Sequence, residues 1–294
     1  MKEFTPAQRL SSRGFSRPLP KQRLDTLLVN LNFTSSRQKA QRLIRAGEVK
    51  VDGQLVDKPG TEVNPSAQIQ LKEKLPYVSR GGEKLAKALE VFAIPVAGRI
   101  CLDAGISTGG FTDCLLQAGA RRVYGIDVGY GQVAWSLRQD ERVVLRERTN
   151  FRHLQSEELY GSESPAELAV ADVSFISLTK IVDPLWNLLV SPREAVLLVK
   201  PQFEVGREYY QNASAAQKGV VRNSTDHSLV ILQVVQAAQQ LGWQACGLTW
   251  SPVTGAAGNI EYLLWLSTDC PPGLTDIASI QSITAAAIAH LSKK

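Results

Sequence analysis

The sequence predicts an α/β protein in which a mostly parallel, helix-covered sheet follows a small basic α+β module. Three observations predict it. From residue 100 onward, short apolar runs alternate with amphipathic segments, the pattern of the βαβ units that build parallel sheets. The first run, Ile100-Cys101-Leu102-Asp103-Ala104, passes into Gly105-Ile106-Ser107-Thr108-Gly109-Gly110-Phe111, a glycine turn between strand and helix. The third is charge: residues 1–80 hold 15 Lys+Arg against 7 Asp+Glu, and the rest hold 18 against 21.

Each element follows from its local pattern. Residues 1–20 place Arg9, Arg13 and Arg17 among Ser, Pro and Gly, which reads as a basic flexible tail. Leu24, Leu27, Leu28 and Leu31 recur at i, i+3, i+4 and i+7 and predict an amphipathic helix. Ser35 or Ser36 caps a second helix with Ala40, Leu43 and Ile44 on one side. Arg37, Lys39, Arg42 and Arg45 occupy the opposite arc, and Gly47 stops the helix. Glu48–Val51, Asp52-Gly53 and Gln54–Val56 spell a hairpin, and Gln68–Leu71 a further strand. Lys72 to Gly82, with Pro76 and Gly81-Gly82, interrupts any regular element. A helix from Glu83 carries Leu85, Leu89 and Phe92 on one face. Strands are then expected at 100–103, 123–127, 143–145, 168–172 and 195–200, with helices at 110–118, 177–190 and 225–241. The candidates 244–250 and 260–266 are close enough to pair as an antiparallel edge, before a last helix at 277–291.

Composition narrows the function classes. A hydrophobic fraction of 44% is ordinary for a globular chain, and no apolar run approaches the roughly 20 residues a bilayer helix needs. With no apolar signal core at the N-terminus, a cytoplasmic location is expected. Cys101, Cys114, Cys246 and Cys270 form no C-x-x-C pair and have no nearby histidines. They are expected to be core or incidental thiols, with neither a metal site nor a disulfide framework. A basic module ahead of a mildly acidic body suggests that the first part holds a polyanion on which the second acts.

The glycine turn is a nucleotide-cofactor loop by its chemistry. Glycines let the backbone approach a flat ligand, and Asp103 at the strand end suits a cationic or hydroxyl-bearing ligand better than a phosphate. The spacing is not G-x-G-x-x-G and lacks the Gly-Lys-Ser/Thr ending of a P-loop, which favours S-adenosyl-L-methionine. Asp103, Gly105, Ser107, Thr108, Gly109, Gly110 and Phe111 are the candidate loop residues. Asp127 ends the next strand, where a carboxylate can accept bonds from both ribose hydroxyls of an adenosine; NAD uses the same geometry, so this residue alone does not separate the two cofactors. Asp172 and Lys200 end two later strands that the topology makes neighbours, at the crevice where open α/β sheets bind ligands. A lysine after four apolar residues and before a proline is hard to explain as a surface charge.

Two resemblances sharpen these readings. Arg23-Leu24-Asp25, Ser36-Arg37, Ala40, Leu43-Ile44, Gly47, Val49, Val51, Gly53 and Lys58-Pro59-Gly60 resemble the alpha-L (S-four-type) RNA-binding domain of a ribosomal protein, tyrosyl-tRNA synthetases and pseudouridine synthases. That resemblance implies RNA contact through Arg23, Arg37, Lys39, Arg42, Arg45 and Lys50. Lys84, Asp172, Lys200 and Glu261, in this order and with these flanks, resemble the Lys-Asp-Lys-Glu tetrad of FtsJ-like ribose 2′-O-methyltransferases. Val78 to Leu85, Leu102 to Phe111, Asp127 to Gln132, Glu147-Arg148-Thr149-Asn150, Asp172 to Ser177, Val199 to Gly206 and Lys218 to Val221 are closer still to the TlyA family. That family's loop carries a smaller residue where Ile106 stands.

The resemblance implies a class I S-adenosylmethionine-dependent methyltransferase fold: a Rossmann-like, mostly parallel seven-stranded sheet behind a small α+β RNA-binding domain. It further implies cytidine 2′-O-methylation in ribosomal RNA, small subunit alone or both, with Asn150 and Asp172 joining the cofactor residues. The expected organisation is a tail at 1–20, an RNA-binding domain at 21–75, a linker at 76–82 and a methyltransferase domain at 83–294. Ribosomal RNA within ribosomal subunits is the expected partner, with no membrane and no metal.

A 2′-hydroxyl is a weak acid and must be aligned with the sulfonium methyl while its proton is drawn off. Lys200 is the candidate, either as a base or as a cation that orients the oxygen. The competing classes are a non-catalytic RNA-binding or ribosome-assembly factor and a membrane-acting haemolysin; the latter lacks an apolar span or a long basic amphipathic helix.

Overall fold

The computed structural model describes residues 20–72, 75–206, 208–210, 219–255, 257–271, 273, 274 and 276–291. The expected tail, apart from Pro20, and Lys218 lie outside these residues. The chain divides into two compact units between residues 74 and 75.

The first unit runs β1 (Gln22–Arg23), α1 (Leu24–Asn30), α2 (Arg37–Arg45), β2 (Val49–Val51), β3 (Gln54–Leu55), β4 (Glu62–Val63) and β5 (Ile69–Leu71). Strands β3-β2-β5 form one sheet and β1-β4 another. Asp52 and Gly53 both take positive φ, 51° and 80°, the type I′ geometry that matches the twist of a two-residue hairpin. Ser36 caps α2 by accepting the Lys39 N–H, filling one of the orphan donors of the first turn. Leu24, Leu27, Leu28, Ala40, Ile44, Val49, Val63 and Ile69 make the core. Leu31, expected on the apolar face of α1, follows the helix end and is exposed.

The second unit continues with α3 (Gly81–Val91), β6 (Ile100–Ala104), α4 (Gly110–Gln117), β7 (Arg122–Ile126), α5 (Trp135–Arg138), β8 (Val143–Arg146), α6 (Ser156–Tyr160) and β9 (Leu168–Ala171). It ends with α7 (Val182–Asn187), β10 (Glu194–Val199), α8 (Pro201–Glu204), α9 (Ser224–Gln239), β11 (Gln244–Trp250), β12 (Tyr262–Ser267) and α10 (Ile277–Leu291). Its seven strands lie in the order β11-β12-β10-β9-β6-β7-β8. Strands β6 to β10 run parallel, and β12 is antiparallel to both β10 and β11. The strand order reverses between β6 and β9, the switch point at which such sheets open a crevice beyond the strand carboxyl ends. Two apolar clusters cover the sheet, one centred on β9, β10, α7 and α9, the other on α3, α4 and β7.

Three expectations are corrected. The segment expected as linker, 76–82, packs into the second unit: the Val78 N–H donates to Asp113 at 2.8 Å, and α3 begins at Gly81 rather than Glu83. The single helix expected over 177–190 is a 3-10 turn at Leu178–Lys180 followed by α7, because Pro184 has no N–H to extend a helix backward but is tolerated in a first turn. Cys246 and Cys270 are disulfide-bonded. The register of the β11–β12 hairpin, Gln244 opposite Ser267, brings the two segments together. Cys101 and Cys114 are free and buried, and burial pushes both thiols up to about 12.

Candidate active site

The glycine loop hangs from two strand ends at the switch point. The N–H groups of Gly105 and Ile106 both donate to Ile126 O at the end of β7. Ser107, at φ 50°, donates its N–H to Asp127 Oδ2 at 2.8 Å, and Gly129 donates to Oδ1 at 2.7 Å. Gly105, at φ 94°, lies so close to β9 that a Cβ there would stand 3.0 Å from Asp172 O. The Asp103 carboxylate points the other way: it is fully buried, and its Oδ2 accepts the Thr112 hydroxyl at 2.7 Å. Burial, opposed by that bond, pushes Asp103 up to about 7.

Two adjoining cavities open at this crevice. One, of about 430 Å³, is lined by Gly105, Ser107, Thr108, Gly110 and Phe111 together with Lys84, Asp172, Lys200 and Glu261. The second, of about 510 Å³, shares Gly105, Ser107, Asp172 and Lys200 and extends to Asp127 and Asn150. Of the expected cofactor residues, Asp103 and Gly109 line neither cavity. Asp103 is turned into the interior against Thr112. Gly109 serves as the left-handed cap of α4, packed against Leu137.

The four tetrad residues converge as two ion pairs. Lys84 Nζ lies 2.5 Å from Glu261 Oε2, and Lys200 Nζ lies 2.5 Å from Asp172 Oδ1. The directed hydrogen bond of the Lys200 ammonium goes to Ser174 Oγ at 2.8 Å. Register explains the convergence: β9 and β10 are parallel neighbours, and Val199 on β10 pairs with Tyr262 on β12. Lys200 and Glu261, one residue beyond that pair on each strand, are therefore flank to flank. Gly255 leaves the space that Glu261 occupies, since a Cβ there would sit 2.6 Å from Oε1.

Sequence reasoning assigned no role to Ser174, Phe175 or Phe203. Phe175 is a non-glycine residue at φ 64°, its side chain is 91% exposed, and its ring lies 5.0 Å from that of Phe203. Both rings line the first cavity. The signal available was an aromatic residue inside each of the two tetrad-bearing segments, Asp172 to Ser177 and Val199 to Gly206.

In the first unit, Arg23 and Arg37 are tied to the buried Asp25 at 3.0 Å, and Gln41 reaches the same carboxylate at 2.9 Å. These donors, Arg23 first, hold Asp25 well below the usual carboxylate range. Lys39, Arg42, Arg45 and Lys50 are exposed, and Lys39 and Arg42 flank a groove with Phe33, Leu43 and Lys72.

A parallel sheet with an antiparallel strand inserted near one edge, a glycine loop leaving β6 and two Lys–carboxylate pairs at the switch point define a class I methyltransferase domain. The FtsJ-like methyltransferase family matches residues 77–268, and the S4 domain, the S-four type, matches residues 22–69. The chain belongs to the FtsJ-like methyltransferases, within the TlyA family. It is 46% identical over 255 residues to the 16S/23S rRNA (cytidine-2′-O)-methyltransferase TlyA of Mycobacterium tuberculosis, spanning 86% of this chain and 92% of that protein. Hemolysin A of Brachyspira hyodysenteriae is 40% identical over 241 residues, 82% of this chain and 98% of that one. A solved chain from Streptococcus thermophilus is 43% identical, superposes with a TM-score of 0.69, and is covered to 98% by 94% of this chain.

Proposed function

We propose that this chain methylates the 2′-hydroxyl of cytidine in ribosomal RNA, using S-adenosyl-L-methionine, while its N-terminal unit docks the RNA. The observation that carries the reading is the pair of lysine–carboxylate contacts lining one cavity beside the glycine loop.

The residues fit the cofactor. Each Asp127 oxygen takes one backbone N–H, and a carboxylate has about four acceptor sites, so capacity remains for ribose hydroxyls in the second cavity. Gly105 leaves the backbone open at the junction of the two cavities, with Ser107, Thr108 and Asp172 around it. Bound there, S-adenosylmethionine supplies an electrophilic methyl group on a sulfonium.

The chain's own contribution is alignment. Lys200, anchored by Asp172 and Ser174, acts as the cation that orients the 2′-oxygen, and Lys84 and Glu261 complete the wall against which the ribose rests. Alignment of this kind is worth several orders of magnitude in rate. The exposed Phe175 ring offers a stacking surface for a base drawn out of its helix. Among the described residues no helix is long and apolar enough to cross a membrane.

Incubation with methyl-labelled S-adenosylmethionine and undermethylated ribosomal subunits is expected to place label on cytidine ribose. Lys200→Met should remove that transfer while leaving cofactor binding intact. Label found only on protein, or on no subunit and no free rRNA, overturns the reading.

A further inference from the structure

We propose that Glu204 is a positioning residue of the methyl-transfer site, a clasp that holds the 172–177 loop in the strained form presenting Ser174 and Phe175. The proposal rests on the methyltransferase reading above and adds to it a residue that lines neither of its cavities.

Glu204 closes α8, the single turn after Lys200. Its Oε2 accepts the Ser177 hydroxyl at 2.6 Å and its Oε1 accepts the Leu178 N–H at 2.9 Å. Lys200, Phe203 and Glu204 stand at i, i+3 and i+4, the spacing that puts side chains on one face of a helical turn. Each meets a different point of the opposite loop: Lys200 meets Asp172 and Ser174, Phe203 meets Phe175, and Glu204 meets Ser177 and Leu178.

The loop needs that hold. Its first end is fixed to the sheet, where the Asp172 N–H donates to Ala104 O at 3.3 Å. Its second end is the 3-10 turn that Ser177 caps through Thr179 N, and Glu204 binds that cap directly. Between the two ends Phe175 adopts φ 64° with an almost fully exposed ring. A bulky residue stays in the left-handed region only where its surroundings over-determine the backbone. With the clasp removed, the loop is free to relax, which takes Ser174 from Lys200 and Phe175 from Phe203.

The test compares Glu204→Ala, Glu204→Gln and Ser177→Ala in the full chain, with ribosomal subunits as substrate. Glu204→Ala is expected to lower kcat about 30-fold, in line with the roughly 100-fold cost of a 1 Å misplacement, with a smaller loss of affinity for S-adenosylmethionine, because residues 172–176 also line the second cavity. Glu204→Gln should recover most of the loss, because its carbonyl still accepts from Leu178 and its amide can donate to Ser177 Oγ. Ser177→Ala, which breaks one of the two bonds, should fall between. Wild-type kcat in Glu204→Ala overturns the proposal, as does a Gln variant as damaged as Ala or a loss of cofactor affinity as large as the loss of kcat. A second readout needs no activity: chymotrypsin cleavage after Phe175, mapped by mass spectrometry, should be about tenfold faster in Glu204→Ala, the loop being less tightly held. Unchanged cleavage overturns the clasp. A wild-type chain that labels no RNA instead overturns the methyltransferase reading, whatever the cleavage rate.

Discussion

Asp103 and Ile106 show how single residues in the glycine loop answer to their surroundings. Asp103 is a carboxyl buried beside Thr112 and raised from an ordinary 3.8 to about 7, chiefly by burial. A carboxyl raised on folding contributes stability that is full below the unfolded value and is lost as pH rises through about 7. At roughly 1.4 kcal/mol per unit the whole loss is on the order of 4 kcal/mol. Asp103→Asn keeps an acceptor for the Thr112 hydroxyl and carries no charge to bury. In cofactor-free protein its Tm advantage over wild type should therefore be larger at pH 8 than at pH 5, and an advantage independent of pH would refute the account. Ile106 stands where a smaller residue was expected, and the compensation lies on β7. The Ile106 side chain fills the space a Cβ on Gly125 would need. Gly125→Ala should cost about 1–3 kcal/mol by overpacking, and adding Ile106→Ala should return part of it. Additive effects in that double-mutant cycle, read by urea denaturation, would separate the two residues.

Among the elements, α3 and α4 meet through glycine. A Cβ on Gly110 would lie 2.8 Å from Gly82 N and 3.1 Å from Gly81 Cα, and backbone cannot move aside as a side chain can. Gly110→Ala should push the start of α3 outward at a cost of about 3 kcal/mol. Because Lys84 rides on that turn, kcat should fall further than the loss of fold accounts for. A variant with wild-type Tm and kcat would show the contact to be slack. The elements also mark what the residues alone could disclose. Long strands, the cap at Ser36 and the stop at Gly47 were legible, because hydrophobic period and turn chemistry are local. The one-turn helices α5 and α8 were not, since four residues show no period. The four tetrad residues were legible by order and flanks, yet not their pairing. Lys84 binds Glu261 across 177 positions, a match that depends on the antiparallel register of β12. The positive φ of Phe175 and the meeting of Cys246 with Cys270 are set by tertiary contacts in the same way.

For the whole molecule the question is how a basic unit serves a catalytic one. The sequence reading gave all six N-terminal cations the same role, and the structure divides them. All six are exposed; Arg23 and Arg37 are committed to the buried Asp25, and Lys39, Arg42, Arg45 and Lys50 make no ion pair among the described residues. Phosphate contacts release counterions, so each one lost flattens the dependence of log affinity on log salt by about one unit. Lys39→Glu and Arg42→Glu should therefore raise the KM for ribosomal subunits about tenfold each, reduce the salt slope, and leave kcat and the Kd for S-adenosylmethionine unchanged. Arg37→Ala should act through the fold, because it removes one of the donors that hold Asp25 below its ordinary range. A carboxylate lowered on folding contributes stability above the unfolded value, near 3.8, that is lost as pH falls. The Arg37→Ala defect should accordingly be present at pH 7 and shrink below pH 4. Equal effects of Arg37→Ala and Arg42→Glu on the salt slope would assign both arginines to RNA. If kcat falls with Lys39→Glu while KM holds, the first unit is part of the catalytic step and not a separate docking module.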